Sequence, residues 1–290
     1  MYKIFNLIVL VSFTIIGCAD NENSSTSDNP SNSNANIILS SYNIKYSSTP
    51  QVTVDLNNNG NYLLEYKNSK VVKRIGGVLA GASGSGMGGY FSNNVYDTII
   101  YSNNKIEIFT KIIPFGGMNQ IVPNKKEFFL DSNQKILKKI NYNSEYYISD
   151  NDTINFEYSN NKISRTFKFN PYENSVSSES FYNYNSNGNL ESILTKEYAF
   201  NYDVDGLFIG KEYIYKIIET FEDYDSANNP FTKSGIFDNI YYRSLSNNNY
   251  RKYTFKKYSN PLGQNSLVGE QFSNYNINYD SSGNAIFIIN

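Results

Sequence analysis

The stretch DTINFEYSNNKISRTFKF, residues 152–169, reads as two short runs of alternating polarity around an asparagine turn. Ile154, Phe156 and Tyr158 alternate with Asn155 and Glu157; Ile163, Phe167 and Phe169 alternate with Ser164, Thr166 and Lys168. A period of two places successive side chains on opposite faces of a strand, so each run predicts one half-buried strand. Asn tolerates the positive φ of a tight turn, so the two runs predict one hairpin.

The same pattern extends outward in both directions. Leu194, Tyr198, Phe200 and Tyr202 continue it, as do Tyr213, Tyr215, Ile217 and Phe221, and later Tyr275, Ile277 and Tyr279. No segment keeps a 3.6-residue period over helical length. A degenerate turn unit recurs. One form, Tyr-x-Asn-x-Lys-apolar, spans 66–71, 101–106 and 158–163; another, Tyr-Asn/Asp-Ser-x-Gly-Asn-x, spans 184–190 and 279–285. Near relatives begin at Asp55, Leu130 and Tyr224. Each unit predicts a hairpin whose flanking aromatic and branched residues pair across strands. The unequal spacing of the starts argues against a regular solenoid. The expectation for residues 37–290 is one all-β domain, a meander of antiparallel hairpins curled into a half-barrel or sandwich that covers its tyrosine-rich face.

These units resemble the YD-repeat and RHS-like proteins, whose repeats carry Tyr-Asp, a Gly and an apolar strand start. They are also similar to small bacterial lipoproteins built from such hairpins. The amino terminus points the same way. Lys3 precedes an apolar run from Ile4 to Ile16, too short for a permanent span, which predicts a signal peptide over 1–17. Ile15-Ile16-Gly17-Cys18 resembles the lipobox of bacterial lipoproteins. The resemblance implies cleavage before Cys18 and lipid on its sulfur, with a membrane of the cell envelope, the outer membrane foremost, as partner. Stable attachment takes two acyl chains or more, which a mature lipoprotein carries. Residues 19–36 contain no large apolar side chain and predict a disordered tether. Asp20 and Glu22 resemble surface-export signals, or belong to an ordinary soluble linker.

Composition excludes much chemistry. The chain has 27 Tyr, one Cys and no His or Trp. With Cys18 lipidated, Ser-His, Cys-His and His-ligated zinc sites are not available, and no disulfide can form within the chain. A formal charge of −2 without a basic cluster argues against nucleic acid as a partner. No cofactor is implied.

Few candidate sites remain. The glycine-rich residues 76–89 read as a flexible loop in which Gly81, Gly84, Gly86, Met87, Gly88 and Gly89 form a candidate binding loop. The adjoining residues Tyr90 to Tyr96 do not read as a helix, which sets aside a dinucleotide site. Asp55, Asn57, Asn59 and Gly60 begin like a calcium loop, but position twelve is Tyr66 rather than an acid, so no metal is expected. Asp203-Val204-Asp205-Gly206 is a second fragment of that kind, read as a turn. Glu219, Glu222, Asp223 and Asp225 cluster in sequence and are the candidates for a carboxylate pair. Asp97-Thr98-Ile99, Asp152-Thr153-Ile154 and Asp225-Ser226-Ala227 look like acceptors of bacterial O-glycosylation, or plain strand starts. Three functions stay open: a binding or scaffolding module for a protein or glycan in the envelope, a carbohydrate-active hydrolase using two carboxylates, and a structural or immunity role.

Overall fold

The computed structural model describes residues 39–47, 60–83, 86–113, 124–142, 152–170, 172–260 and 264–288. The expected signal peptide, Ile15, Ile16, Gly17, Cys18 and the tether, together with Asp55, Asn57, Asn59 and Gly84, lie outside the described residues. The alternating runs become strands β1 (Ser41–Asn43), β2 (Asn61–Lys67), β3 (Lys70–Ser83), β4 (Gly86–Tyr101), β5 (Lys105–Ile112), β6 (Asn124–Leu130) and β7 (Ile136–Tyr142). They continue as β8 (Asp152–Ser159), β9 (Lys162–Asn170), β10 (Ser175–Tyr184), β11 (Leu190–Tyr202), β12 (Phe208–Tyr224), β13 (Tyr250–Ser259) and β14 (Ser266–Asn274). All fourteen form one sheet in chain order, each antiparallel to its sequence neighbours. The sheet is not closed, because β1 and β14 are its edges. The unit at 279–285 makes a separate hairpin of β15 (Asn278–Tyr279) and β16 (Ala285–Ile286). Tyr275 and Ile277 are buried but precede that hairpin in non-strand backbone, contrary to the single run expected.

The predicted turns carry the geometry their asparagines and glycines permit. Asn68, Asn160, Asn161, Gly188 and Gly206 all have positive φ. After five of the turns the returning strand takes one extra residue. The pairings Tyr66↔Val71 and Glu65↔Lys73 leave Val72 unmatched, and the same step occurs at Leu137, Ser164, Glu191 and Ile209. Such a bulge reverses which side chains face inward beyond it. This corrects the reading of 163–169. Ile163 is buried, but beyond Ser164 it is Thr166 that is buried on the inner face, while Phe169 is exposed. Phe167 lies on the outer face beneath the Arg165 guanidinium, 4.6 Å from ring centre.

The described residues of the glycine-rich segment are also strand rather than loop. Ala80↔Gly89, Gly81↔Gly88, Ala82↔Met87 and Ser83↔Gly86 pair as the outer half of the long β3–β4 hairpin. Nearer its base the ring of Phe91 covers Gly60 and Gly76, where an added Cβ would lie 2.1 Å and 2.5 Å from ring carbons, and Gly76 has a φ of +108°. These glycines make room for an aromatic that stands edge-on to Tyr62 at 5.0 Å.

The unit at Tyr224 is not a hairpin either. Tyr224 still pairs with Tyr250, but Asp225 and Asn249 then close the neck of an inward excursion over 225–249. Pro230 has no N–H to offer a returning ladder, and Asn229 instead caps a 3-10 turn (Pro230–Lys233) by accepting from Phe231 N at 2.9 Å. A second 3-10 turn (Asp238–Ile240) and one short helix, α1 (Tyr241–Ser244), complete the segment. Phe231, Phe237 and Ile240 are almost wholly buried. This segment touches strands far apart in the order: Asn239 meets Tyr42 of β1 and Arg74 of β3, Asp238 meets Lys126 and Lys139, and Tyr242 meets Glu219 of β12. In a flat sheet β1 and β12 would stand roughly 50 Å apart at the usual strand spacing. The sheet therefore curls around the segment, which fills its inner face. Asn43 N, at one edge, donates to Phe287 O of the chain beyond the other edge at 2.6 Å.

Arg243 sits where these parts meet. It is 1% exposed, and its guanidinium donates to Tyr46 O at 2.7 Å and Tyr250 O at 3.2 Å. Its charge lies over the rings of Tyr250 and Tyr275, 4.1 Å and 4.3 Å from their centres. Replacing it leaves two buried carbonyls and an aromatic cage without their donor. Arg243→Ala is expected to lower stability by about 3–4 kcal/mol, read from urea unfolding, with Arg243→Lys recovering only part because an ammonium lacks the planar fork.

Candidate binding cleft

Two cross-strand rows on the inner face of β6–β10 form a floor, and the inner segment forms the opposite wall. The first row runs Phe128, Lys139, Ile154, Lys168, Ser178, and the second runs Phe156, Thr166, Ser180. Gly235, Asp238, Tyr241 and Tyr242 face them across a cleft of about 250 Å³ that Tyr182 also lines. The bulge at Ser164 is what turns the hydroxyl of Thr166 and the ammonium of Lys168 into this space.

Charge in the cleft is arranged around Asp238. Its carboxylate accepts from Lys139, on the floor, and from Lys126 at 2.7 Å. Partial burial pushes this carboxyl up, but Lys139 and Lys126 outweigh it and hold it well below the usual carboxylate range. Desolvation pushes the Lys139 ammonium down by more than Asp238 restores. Lys168 pairs with Asp152 at 2.8 Å. The hydroxyls are engaged but not saturated: Thr166 Oγ1 and Tyr182 Oη lie 3.2 Å apart, and Ser180 Oγ and Thr195 Oγ1 lie 2.7 Å apart. Each retains acceptor or donor capacity. Burial raises Tyr182 to about 12 and Tyr241 further, so both stay protonated donors at neutral pH.

Among the described residues, the one candidate from the sequence that lines the cleft is Ile154, of the Asp152-Thr153-Ile154 motif. The acidic cluster is dispersed by strand alternation and by the neck of the inner segment. Glu219 points inward, accepting from Tyr253 at 2.6 Å and Tyr242 at 3.1 Å. Glu222 is exposed, Asp223 pairs with Arg251, and Asp225 accepts from Asn249 and Tyr279. Asp203 accepts from its own turn, at Asp205 N and Leu207 N. Asp97 is buried in an ion pair with Arg74, and Thr98 and Thr153 lie within strands, whereas Ser226 is exposed. Asp238 and Lys139 were invisible to sequence reasoning. They are 99 positions apart, and each alone reads as surface charge.

No family model matches the chain, and no curated protein matches it. Solved structures similar to it include two porin-like proteins. A porin-like protein from Bacteroides uniformis ATCC 8492 is 10% identical, with 78% of this chain and 79% of that chain covered and a TM-score of 0.43. A porin-like protein from Bacteroides vulgatus ATCC 8482 is also 10% identical, with 86% and 89% covered and a TM-score of 0.38.

Glu219 makes the site region sensitive to pH. Burial raises its carboxyl pKa, and the bonds from Tyr253 and Tyr242 offset only part of this. A folded-state pKa above the unfolded value of about 4.3 favours the folded protein below that pH, and the contribution is lost as pH rises through the folded value. Glu219→Gln is expected to remove this dependence. The urea midpoint of the wild type should then fall relative to the variant as pH is raised above about 4, measured in steps to neutrality.

Proposed function

We propose that this chain is a lipid-anchored envelope protein whose β body holds a ligand in the cleft between the sheet and its inner segment. The observation that carries the binding role is the cleft itself: apolar walls from Phe128, Phe156 and Tyr241 with a few converging polar groups, the usual composition of a ligand site. Two-carboxylate hydrolysis needs a second acid facing the first across a substrate. Among the described residues the cleft wall offers one carboxylate, Asp238, already ion-paired, which favours binding over hydrolysis.

Anchoring rests on the apolar run and the Ile15-Ile16-Gly17-Cys18 motif.

Each half has its own test. Cys18→Ser, expressed in the native host, is expected to move the protein from the membrane to the soluble fraction; an unchanged distribution contradicts the anchor. Tyr241→Trp places the only tryptophan in the cleft wall. Titration with a panel of sugars, fatty acids and short peptides is expected to give a saturable emission change that Ser180→Phe abolishes. A response that survives Ser180→Phe contradicts the cleft.

A further inference from the structure

Among the described residues, the charges around the cleft do not balance. Lys126 and Lys139 share the single carboxylate of Asp238, and Lys168 is matched by Asp152, so three ammonium groups face two carboxylates. Lys139 has a side chain only 8% exposed, and excess charge in such a place is costly until a counter-ion completes it. An anionic group entering beside Lys139 and Lys168 would supply that counter-ion.

The rest of the lining restricts what carries the anion. At about 250 Å³ the space falls below the ~300–1,000 Å³ of sites for drug-sized ligands, and suits one ring-sized group. One side of it is apolar, with Phe128, Ile154 and Phe156 on the floor. Beside the phenols of Tyr182, Tyr241 and Tyr242, the other polar groups are the hydroxyls of Thr166, Ser178 and Ser180, set on neighbouring strands of the same face. Such a row matches a chain of hydroxyl groups, while the aromatic floor matches the apolar face of a sugar ring. An acyl chain would leave the hydroxyl row without use.

Resting on the cleft being a ligand site, we infer that it takes a single acidic sugar residue, its carboxylate beside Lys139 and Lys168 and its hydroxyls on Thr166, Ser178 and Ser180. The neutral hexose of the same shape lacks the charge that completes the pocket and binds more weakly.

The test uses the Tyr241→Trp chain, otherwise intact from residue 19, titrated with D-glucuronate, D-glucose and octanoate. Glucuronate is expected to saturate the emission change, with glucose at least tenfold weaker. Lys168 is 46% exposed on its side chain, so Lys168→Met keeps the fold, and it should weaken glucuronate at least fivefold and narrow its advantage over glucose. Lys139→Met should weaken it further, and far-ultraviolet circular dichroism identifies a variant that has not folded. Equal affinity for glucose and glucuronate overturns the charge assignment. Tighter binding of octanoate, abolished by Ser180→Phe, overturns the sugar while the cleft stands as a ligand site. Silence towards all three overturns the acidic sugar, and silence extending to the wider panel removes the cleft as a site altogether.

Discussion

The guanidinium of Arg243 joins chain segments that lie far apart in the covalent order. Tyr46 lies just beyond β1, Arg243 lies in α1, Tyr250 opens β13, and Tyr275 lies beyond β14. A fourteen-stranded meander pairs each strand only with its sequence neighbours, and its twist and bulges bend it without joining β1 to β14. The curl is set by what the inner face must cover. Arg243 fixes the inner segment beside both edge strands of the sheet, using two carbonyls and a ring of aromatic faces in place of a carboxylate. Its many aromatic partners give a physical use to the abundance of tyrosine: rings that pack like apolar residues and still accept a cation.

The rest of the inner segment is attached by polar contacts to one strand after another. Asn239 reaches Arg74, which is itself held by Asp97; Asp238 reaches Lys126 and Lys139; Asn247 and Asn248 reach the turn after β10 through Asn187 and Asn189. Hydrogen-bonded attachments of this kind specify position, since each is costly when left unmade inside the protein. Between them the segment does not touch the floor everywhere, and the space left beside Asp238 is the cleft. The cleft is thus a product of how the sheet is filled.

Much of the sheet was legible in the sequence, for a local reason. Tyr66–Val71, Tyr101–Ile106, Leu130–Ile136, Tyr158–Ile163 and Tyr184–Leu190 all form hairpins because their Asn, Asp and Gly residues permit tight turns within a few positions. What the pattern does not reveal is phase. A one-residue bulge at Ser164 changes no composition, yet it sends Phe167 outward and Thr166 inward. The Tyr224 unit shares the turn vocabulary but leads inward, because the strand that could pair returns only at Tyr250. The glycines of 76–89 suggest a loop by composition, and pairing across the β3–β4 hairpin makes the described ones strand. Arg243, Asp238 and Lys139 take their meaning from partners distant in sequence, so no local signal marks them.

The site and the fold therefore stand or fall on the same claim, that residues 225–249 are fastened inside a curled sheet by Arg243. Hydrogen exchange of individual amides tests it most directly. Asn43 N, bonded to Phe287 O across the two edges, and Phe231 N, bonded within the inner segment, should both be strongly protected in the wild type. In Arg243→Ala both should lose protection together, while Ile108 and Phe156, inside the central ladder, keep theirs. Rapid exchange of Asn43 and Phe231 in the wild type, or unchanged protection in Arg243→Ala, would contradict the account.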